Sequence, residues 1–214
     1  MAECLALWLL AGRFKLAVEM RPRGRDERVL EFLIQPSGTR VEVKAPFRAR
    51  PIGAFSGEDS DLIERVLEDA NDQFSEAVPN LAVLVPGLRS PIYHDRGQLT
   101  RALCVASVLR IDVPASEFDS VQLEYRSTGR LMRRPRQQPG ASPNRTKSKL
   151  TRTSAVLSVE EVVRQDPSYW IDHEIFVVHN PNAQVRIDLA MFDGVPQFFE
   201  RKGTLQWTDG HLIV

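Results

Sequence analysis

Cysteine is nearly absent: the chain has two in 214 residues, Cys4 and Cys104. Two such distant thiols form no disulfide framework and no cysteine-type metal pair, a usage that points to the reducing cytoplasm. Net charge is missing too. Lys plus Arg (28) equals Asp plus Glu (28), so overall charge selects neither a nucleic-acid nor a membrane partner. The longest apolar run near the start, Cys4 to Ala11, is far too short to span a bilayer, and no basic region precedes it to make a secretory leader. There is no glycine-rich phosphate loop, no nucleophile elbow and no internal repeat. His94, His173, His179 and His211 are scattered without metal-type spacing; His173 and His179 read as strand surface or satisfied core.

What is present suits a folded chain. Apolar residues make up 43% and charged ones 26%, and the length supports one domain with a real core. The balanced total hides a local asymmetry. From Arg126 to Thr153 there are seven arginines, two lysines and no acid, interspersed with Pro135, Pro139, Pro143, Gly129 and Gly140. Nothing there repeats at a helical or strand period, so residues 126–153 read as a basic, flexible insert or linker. It divides an α/β core, 1–125, from a strand-rich part, 154–214, which at 61 residues is expected to pack on the core.

The core alternates helix and strand. Met1–Gly12 places Leu5, Trp8, Leu9 and Gly12 at helical spacing; its first residue already lies inside the pattern with no capping segment before it, as expected of a truncated or mis-assigned start. Lys15–Met20, Val29–Gln35 and Arg40–Ala45 read as strands, the last two joined by the turn-forming Pro36-Ser37-Gly38-Thr39. Asp61–Ala77 is an amphipathic helix with Leu62, Val66, Ala70 and Phe74 on one stripe, and Asp61 with Glu64 resembles a capping box. Leu81–Val85 suits a strand buried on both faces, and Arg96–Leu109 looks helical. In the last part, Ala155–Val159, Glu174–His179 and Val185–Met191 are candidate strands, with Asn180-Pro181-Asn182 a turn. Thr204–Trp207 and His211–Val214 flank Asp209-Gly210, a short-hairpin signal. The expected fold class is α/β: a mixed sheet with a central antiparallel hairpin flanked by helices.

That hairpin carries the candidate chemistry. A turn centred on Ser37-Gly38 pairs Gln35 with Arg40, Leu33 with Glu42 and Glu31 with Lys44. Opposed residues share a face, as do alternate residues of one strand. Glu31, Glu42 and Lys44 therefore fall together on one face, and Leu30, Phe32, Ile34, Val41, Val43 and Ala45 on the other. Two carboxylates about 5–7 Å apart can share one hard divalent cation, and Mg²⁺ suits a site with few protein carboxylates. A simpler reading stands beside this one: the face is the solvated side of the hairpin, and Glu31–Lys44 an ordinary cross-strand ion pair.

The order and spacing of these pieces resemble the PD-(D/E)XK, or restriction-endonuclease-like, nuclease superfamily. The matching residues are Ala2-Glu3 in the first helix, Leu30-Glu31-Phe32-Leu33-Ile34 on the strand, Pro36-Ser37-Gly38-Thr39 at the turn and Val41-Glu42-Val43-Lys44-Ala45 as the Glu-x-Lys. Gln73, at the edge of the next helix, occupies a place where some branches keep a glutamine. One departure is clear: Leu30-Glu31 stands where the family usually has Pro-Asp, and the extra methylene moves the carboxylate outward. The resemblance implies Mg²⁺- or Mn²⁺-dependent phosphodiester hydrolysis, with Glu31 and Glu42 as metal ligands and Lys44 orienting water or offsetting phosphate charge. Glu3 and Gln73 are weaker candidates, better read as a helix first-turn acid and a helix-edge residue. The basic segment fits a nucleic-acid partner through counterion release, though it lacks aromatics for stacking and fits a plain linker as well. The alternative function is a catalytically inactive protein of the same fold that binds nucleic acid or a protein partner.

Overall fold

Runs of consecutive apolar residues belong in strands covered on both faces. In the computed structural model, the run after Pro79 forms β4 (Asn80–Leu84), buried along its whole length, at the middle of an eight-stranded mixed sheet. The structure describes residues 2–20, 31–46, 60–86, 96, 99, 105–110, 122–127, 150–165, 169–180, 183–201 and 204–208.

Helix α1 (Ala2–Leu7) continues as a π-helical segment, Trp8–Arg13, and leads into β1 (Ala17–Met20). The hairpin β2 (Phe32–Gln35) and β3 (Thr39–Lys44) follows, then α2 (Ser60–Gln73) and β4. A separate antiparallel pair, β5 (Val105–Arg110) and β6 (Gln122–Ser127), precedes β7 (Ala155–Gln165) and β8 (Tyr169–His179). The chain ends its described course with a 3₁₀ turn, Leu189–Phe192, then β9 (Gln197–Arg201) and β10 (Thr204–Trp207). The sheet order is β1-β2-β3-β4-β7-β8-β9-β10. β3, β4 and β7 are parallel, while β2–β3 and β7–β8 are antiparallel. Among the described residues no helix is long and apolar enough to cross a membrane.

Each face of the sheet carries its own core. On one, Ile63, Leu67 and Ala70 of α2, with Phe74 just beyond its end, cover Ala82, Leu84, Val156, Phe176 and Val178, with Phe198 and Trp207 at the far side. On the other, Ala6, Leu9 and Leu10 cover Phe32, Ile34, Val41 and Val43 beside Leu81, Val83, Leu157 and Val177. Each buried Val, Leu, Ile or Phe among them contributes about 1.5–3 kcal/mol. Three asparagines then tie the chain's return into β7. The Asn71 side-chain oxygen accepts from the Arg152 and Thr153 N–H groups at 3.1 and 3.2 Å. Asn180 donates to the Leu150 and Thr153 carbonyls at 3.0 and 2.9 Å, and Asn80 to that of Arg152 at 2.8 Å.

Several expectations change. The β2–β3 hairpin lies toward one end of the sheet, not at its centre, which falls between β4 and β7. The strands of 154–214 join the core through the sheet itself: β7 pairs directly with β4 and continues it. Arg126 and Ser127 belong to β6, and Leu150 and Thr153 are buried, so the basic segment is anchored at both ends; residues 128–149 lie outside the described set. Val105–Leu109, expected to be helical, is strand, because its main-chain groups pair with β6 across a separation that local periodicity does not register. Helix α2 starts at Ser60, so Asp61 is inside the first turn and not its cap, and the deepest stripe is Ile63, Leu67, Ala70 and Phe74, with Leu62 and Val66 partly buried. Val185–Met191 alternates like a strand, yet Asp188 accepts from the Ala190 N–H at 3.0 Å and starts the 3₁₀ turn instead. β10 pairs with β9; the His211–Val214 partner, the Asp209-Gly210 turn and Pro181-Asn182 lie outside the described residues.

Candidate functional site: a carboxylate pair on the β2–β3 hairpin

The observed register pairs Ile34 with Thr39, Leu33 with Arg40 and Phe32 with Val41. It differs by two positions from the expected pairing of Gln35 with Arg40. Gly38, at φ 67°, closes the turn one residue early, so Thr39 already belongs to β3. The Ser37 hydroxyl fixes this turn, bonding Thr39 Oγ1 at 2.8 Å and the Ile34 carbonyl at 3.2 Å. A shift of two preserves the faces, whereas a shift of one would exchange them. Phe32, Ile34, Val41 and Val43 accordingly line the core beneath α1. Continued one residue outward, the register sets Glu31 level with Glu42, not with Lys44.

The side of Glu42 and Lys44 follows from the parallel pair. Glu42 aligns with Ala82 and Lys44 with Leu84, and both partners belong to the core under α2. No residue of β2 or β3 joins that apolar cluster, so the polar row borders it. Glu42 is 5% exposed. Its Oε1 receives the Lys44 ammonium at 2.7 Å, while its Oε2 is buried and, among the described residues, has no hydrogen-bond partner. A buried acceptor left unpaired costs about 1–3 kcal/mol, more when charged.

Glu31 stands at a bend just before β2 and turns its carboxylate back to accept from the Val43 N–H, an amide on the β2 side of β3. Burial pushes this carboxyl from 4.5 up to about 7, and the negative charges of Glu42 and Glu3 push the same way; the Val43 N–H and the Lys44 ammonium partly oppose them. The structure thus brings Glu31, Glu42 and Lys44 within electrostatic reach of one another. Glu3 reaches Glu31 as its weakest contributor, from a helix packed on the opposite face to Glu42. Gln73 ends α2, and among the described residues no hydrogen bond connects it to the group. Arg40, on the same face as Glu42 and Lys44, escaped the sequence reading, although the alternation Arg40-x-Glu42-x-Lys44 is its signal.

The donor set fits a hard cation at two carboxylates: a buried, unpaired Glu42 oxygen next to Glu31. Among the described residues no group of three or more His, Cys, Asp or Glu is arranged to hold a metal. A cation here would rest on two protein oxygens plus water, the habit of Mg²⁺ and not of Zn²⁺ or Ca²⁺.

The raised Glu31 carboxyl has a measurable effect on stability. The folded state binds its proton more tightly than the unfolded chain, so this stabilisation is complete below about pH 4.5 and is lost as pH rises through about 7. The group is partly exposed, so solvent screening reduces the effect to about 1 kcal/mol. Urea midpoints measured from pH 4 to 8 without metal should show Glu31→Gln gaining on the wild type as pH rises. Parallel curves would show that Glu31 is solvated like a free carboxylate.

Comparison with protein families, with curated proteins and with solved structures gives no match.

Proposed function

We propose that the chain is a metal-dependent nuclease of restriction-endonuclease-like fold that hydrolyses nucleic-acid phosphodiester bonds, in the reducing cytoplasm its cysteine usage suggests. The observation that carries this reading is the buried Oε2 of Glu42, unpaired and adjacent to a second carboxylate whose ionisation burial has made costly. A cation completing the pair would satisfy both groups at once.

Glu31 and Glu42 would hold Mg²⁺ or Mn²⁺. Bound there, the ion supplies an acidified water and a counter-charge for the phosphoryl oxygens. The chain's own groups do the rest. Glu42 is held by its strand, wedged between β2 and β4, so its oxygen keeps one position. Glu31 must lose its proton to serve, which puts the rise of activity near pH 7. Lys44, with its side chain 20% exposed, can leave Glu42 for a phosphate oxygen or an attacking water. Residues 126–153, with nine cations and no acid, supply sequence-independent attraction to a phosphate backbone.

The Lys44–Glu42 contact favours a second reading, an inactive nuclease-fold protein that binds nucleic acid or a protein partner, because the lysine already neutralises the buried carboxylate. Calorimetric titration of MgCl₂ into wild type and Glu42→Gln, with cleavage of DNA and RNA oligonucleotides in Mg²⁺, Mn²⁺ or EDTA, separates the two. The nuclease reading expects heat and cleavage in wild type only. Equal heats remove the ligand role of Glu42, and metal-independent binding without cleavage selects the inactive protein.

A further inference from the structure

We infer that Arg40 grips the phosphate next to the one being cleaved, so that the substrate is a polynucleotide strand and not a mononucleotide or small diester. This rests on the nuclease reading of Glu31 and Glu42.

Arg40 pairs with Leu33 across the hairpin and aligns with Asn80 of β4, which sets it on the face of Glu42 and Lys44. Its backbone N–H is held by the Pro79 carbonyl at 3.0 Å, so its place on the strand is fixed. The side chain is partly buried, yet among the described residues its guanidinium has neither an ion pair nor a hydrogen bond. The contrast with Arg152 is direct: that guanidinium meets Glu76 at 3.0 Å. A guanidinium that no anion of the described chain engages is open to one from outside.

Spacing names the anion. Along a strand, residues two apart lie roughly 7 Å from each other on one face. Arg40 and Lys44 therefore flank Glu42 at nearly equal distances, one toward the hairpin turn and one toward the end of β3. With the reacting phosphate at Glu42 and Lys44, a strand running along β3 places its neighbouring phosphate beside Arg40. The planar guanidinium fork matches two phosphate oxygens, which a lysine does not. A structural role is the competitor: α2 ends near this level of the sheet, and an arginine there can complement the helix C-terminus.

The test is a chemical cycle. Wild type, Arg40→Gln and Arg40→Lys are assayed in MgCl₂ on a DNA oligonucleotide, and on versions carrying a neutral methylphosphonate at single positions flanking the cut. Arg40→Gln should lower kcat/KM on the parent oligonucleotide about 10- to 100-fold. One methylphosphonate position should cost wild type a similar factor and Arg40→Gln nothing more, with Arg40→Lys between. The salt slope of log(kcat/KM) should also fall by about one charge in Arg40→Gln. A lower melting temperature, with wild type and variant equally sensitive to every methylphosphonate, assigns Arg40 to the helix end and overturns the proposal. Glu42→Gln is run alongside. If it is inactive while Arg40→Gln equals wild type, only the Arg40 role falls; if it cleaves like wild type, both readings fall.

Discussion

On the proposed nuclease reading, Glu42→Gln should lower Mg²⁺-dependent phosphodiester cleavage by roughly 10²–10³-fold while leaving the metal-free melting temperature unchanged or higher. The two halves have one cause. Glu42 is 5% exposed, with one oxygen on Lys44 and the other without a partner among the described residues. An amide of the same shape keeps the strand register and is cheaper to bury than a carboxylate. Lys44 loses its partner, but enough of it reaches water for solvation to replace the pair. What the amide cannot supply is the negative charge that a cation requires. Single-turnover rates, with thermal melting followed by circular dichroism, make the comparison. A rate that falls together with the melting temperature reports lost folding instead of lost chemistry, and an unchanged rate removes Glu42 from the site. Activity gained at a cost in stability is the ordinary condition of a working site.

The largest effect on folding is expected away from the carboxylates. Phe176→Ala should destabilise by about 3–5 kcal/mol, read as a lower urea midpoint at constant slope. Phe176 is fully buried on β8, between β7 and β9, in the cluster that joins α2 to the far strands. Its ring meets that of Trp207 edge-on at 5.7 Å and 73°, so truncation opens a cavity between strands that have no freedom to close it. Against a typical total of about 5–15 kcal/mol, that loss is a large share. Phe176→Leu, which keeps most of the volume, should cost nearer 1 kcal/mol. A loss under 1 kcal/mol for the alanine variant would mean that this side of the sheet is loosely packed.

Strand parity made the site legible. Alternate residues of a strand must share a side whatever the rest of the chain does, so Glu42 with Lys44, and Phe32 with Ile34, sort correctly from the string alone. The register was not legible, because it depends on where a glycine closes the turn, and Gly38 does so one residue sooner than the composition of the turn suggests. Nor was the capture of Glu31 by the Val43 amide, since a side chain entering the place of a strand's own carbonyl leaves no mark in the order of residues. The continuous apolar run of β4 announced a strand covered on both faces, and α2 showed its amphipathic stripe, Ala70 and Phe74 as expected, with Ile63 and Leu67 deeper than Leu62 and Val66. Errors gathered where distant partners decide. Val105–Leu109 needs β6 to become strand, and the alternation of Val185–Met191 yields to carbonyls that Gln197 binds at 3.1 Å from Leu189 and Phe192.

The junction of β4 with β7 joins stretches of backbone 74 positions apart, Asn80 and Ser154 being bonded at 2.9 Å where the two strands begin. Severing the polypeptide between them would leave two fragments, each with a raw parallel border, greasy above and below. Neither could close that wound by itself. Each fragment is the other's missing neighbour, and the molecule survives such a cut only by finding its own remainder.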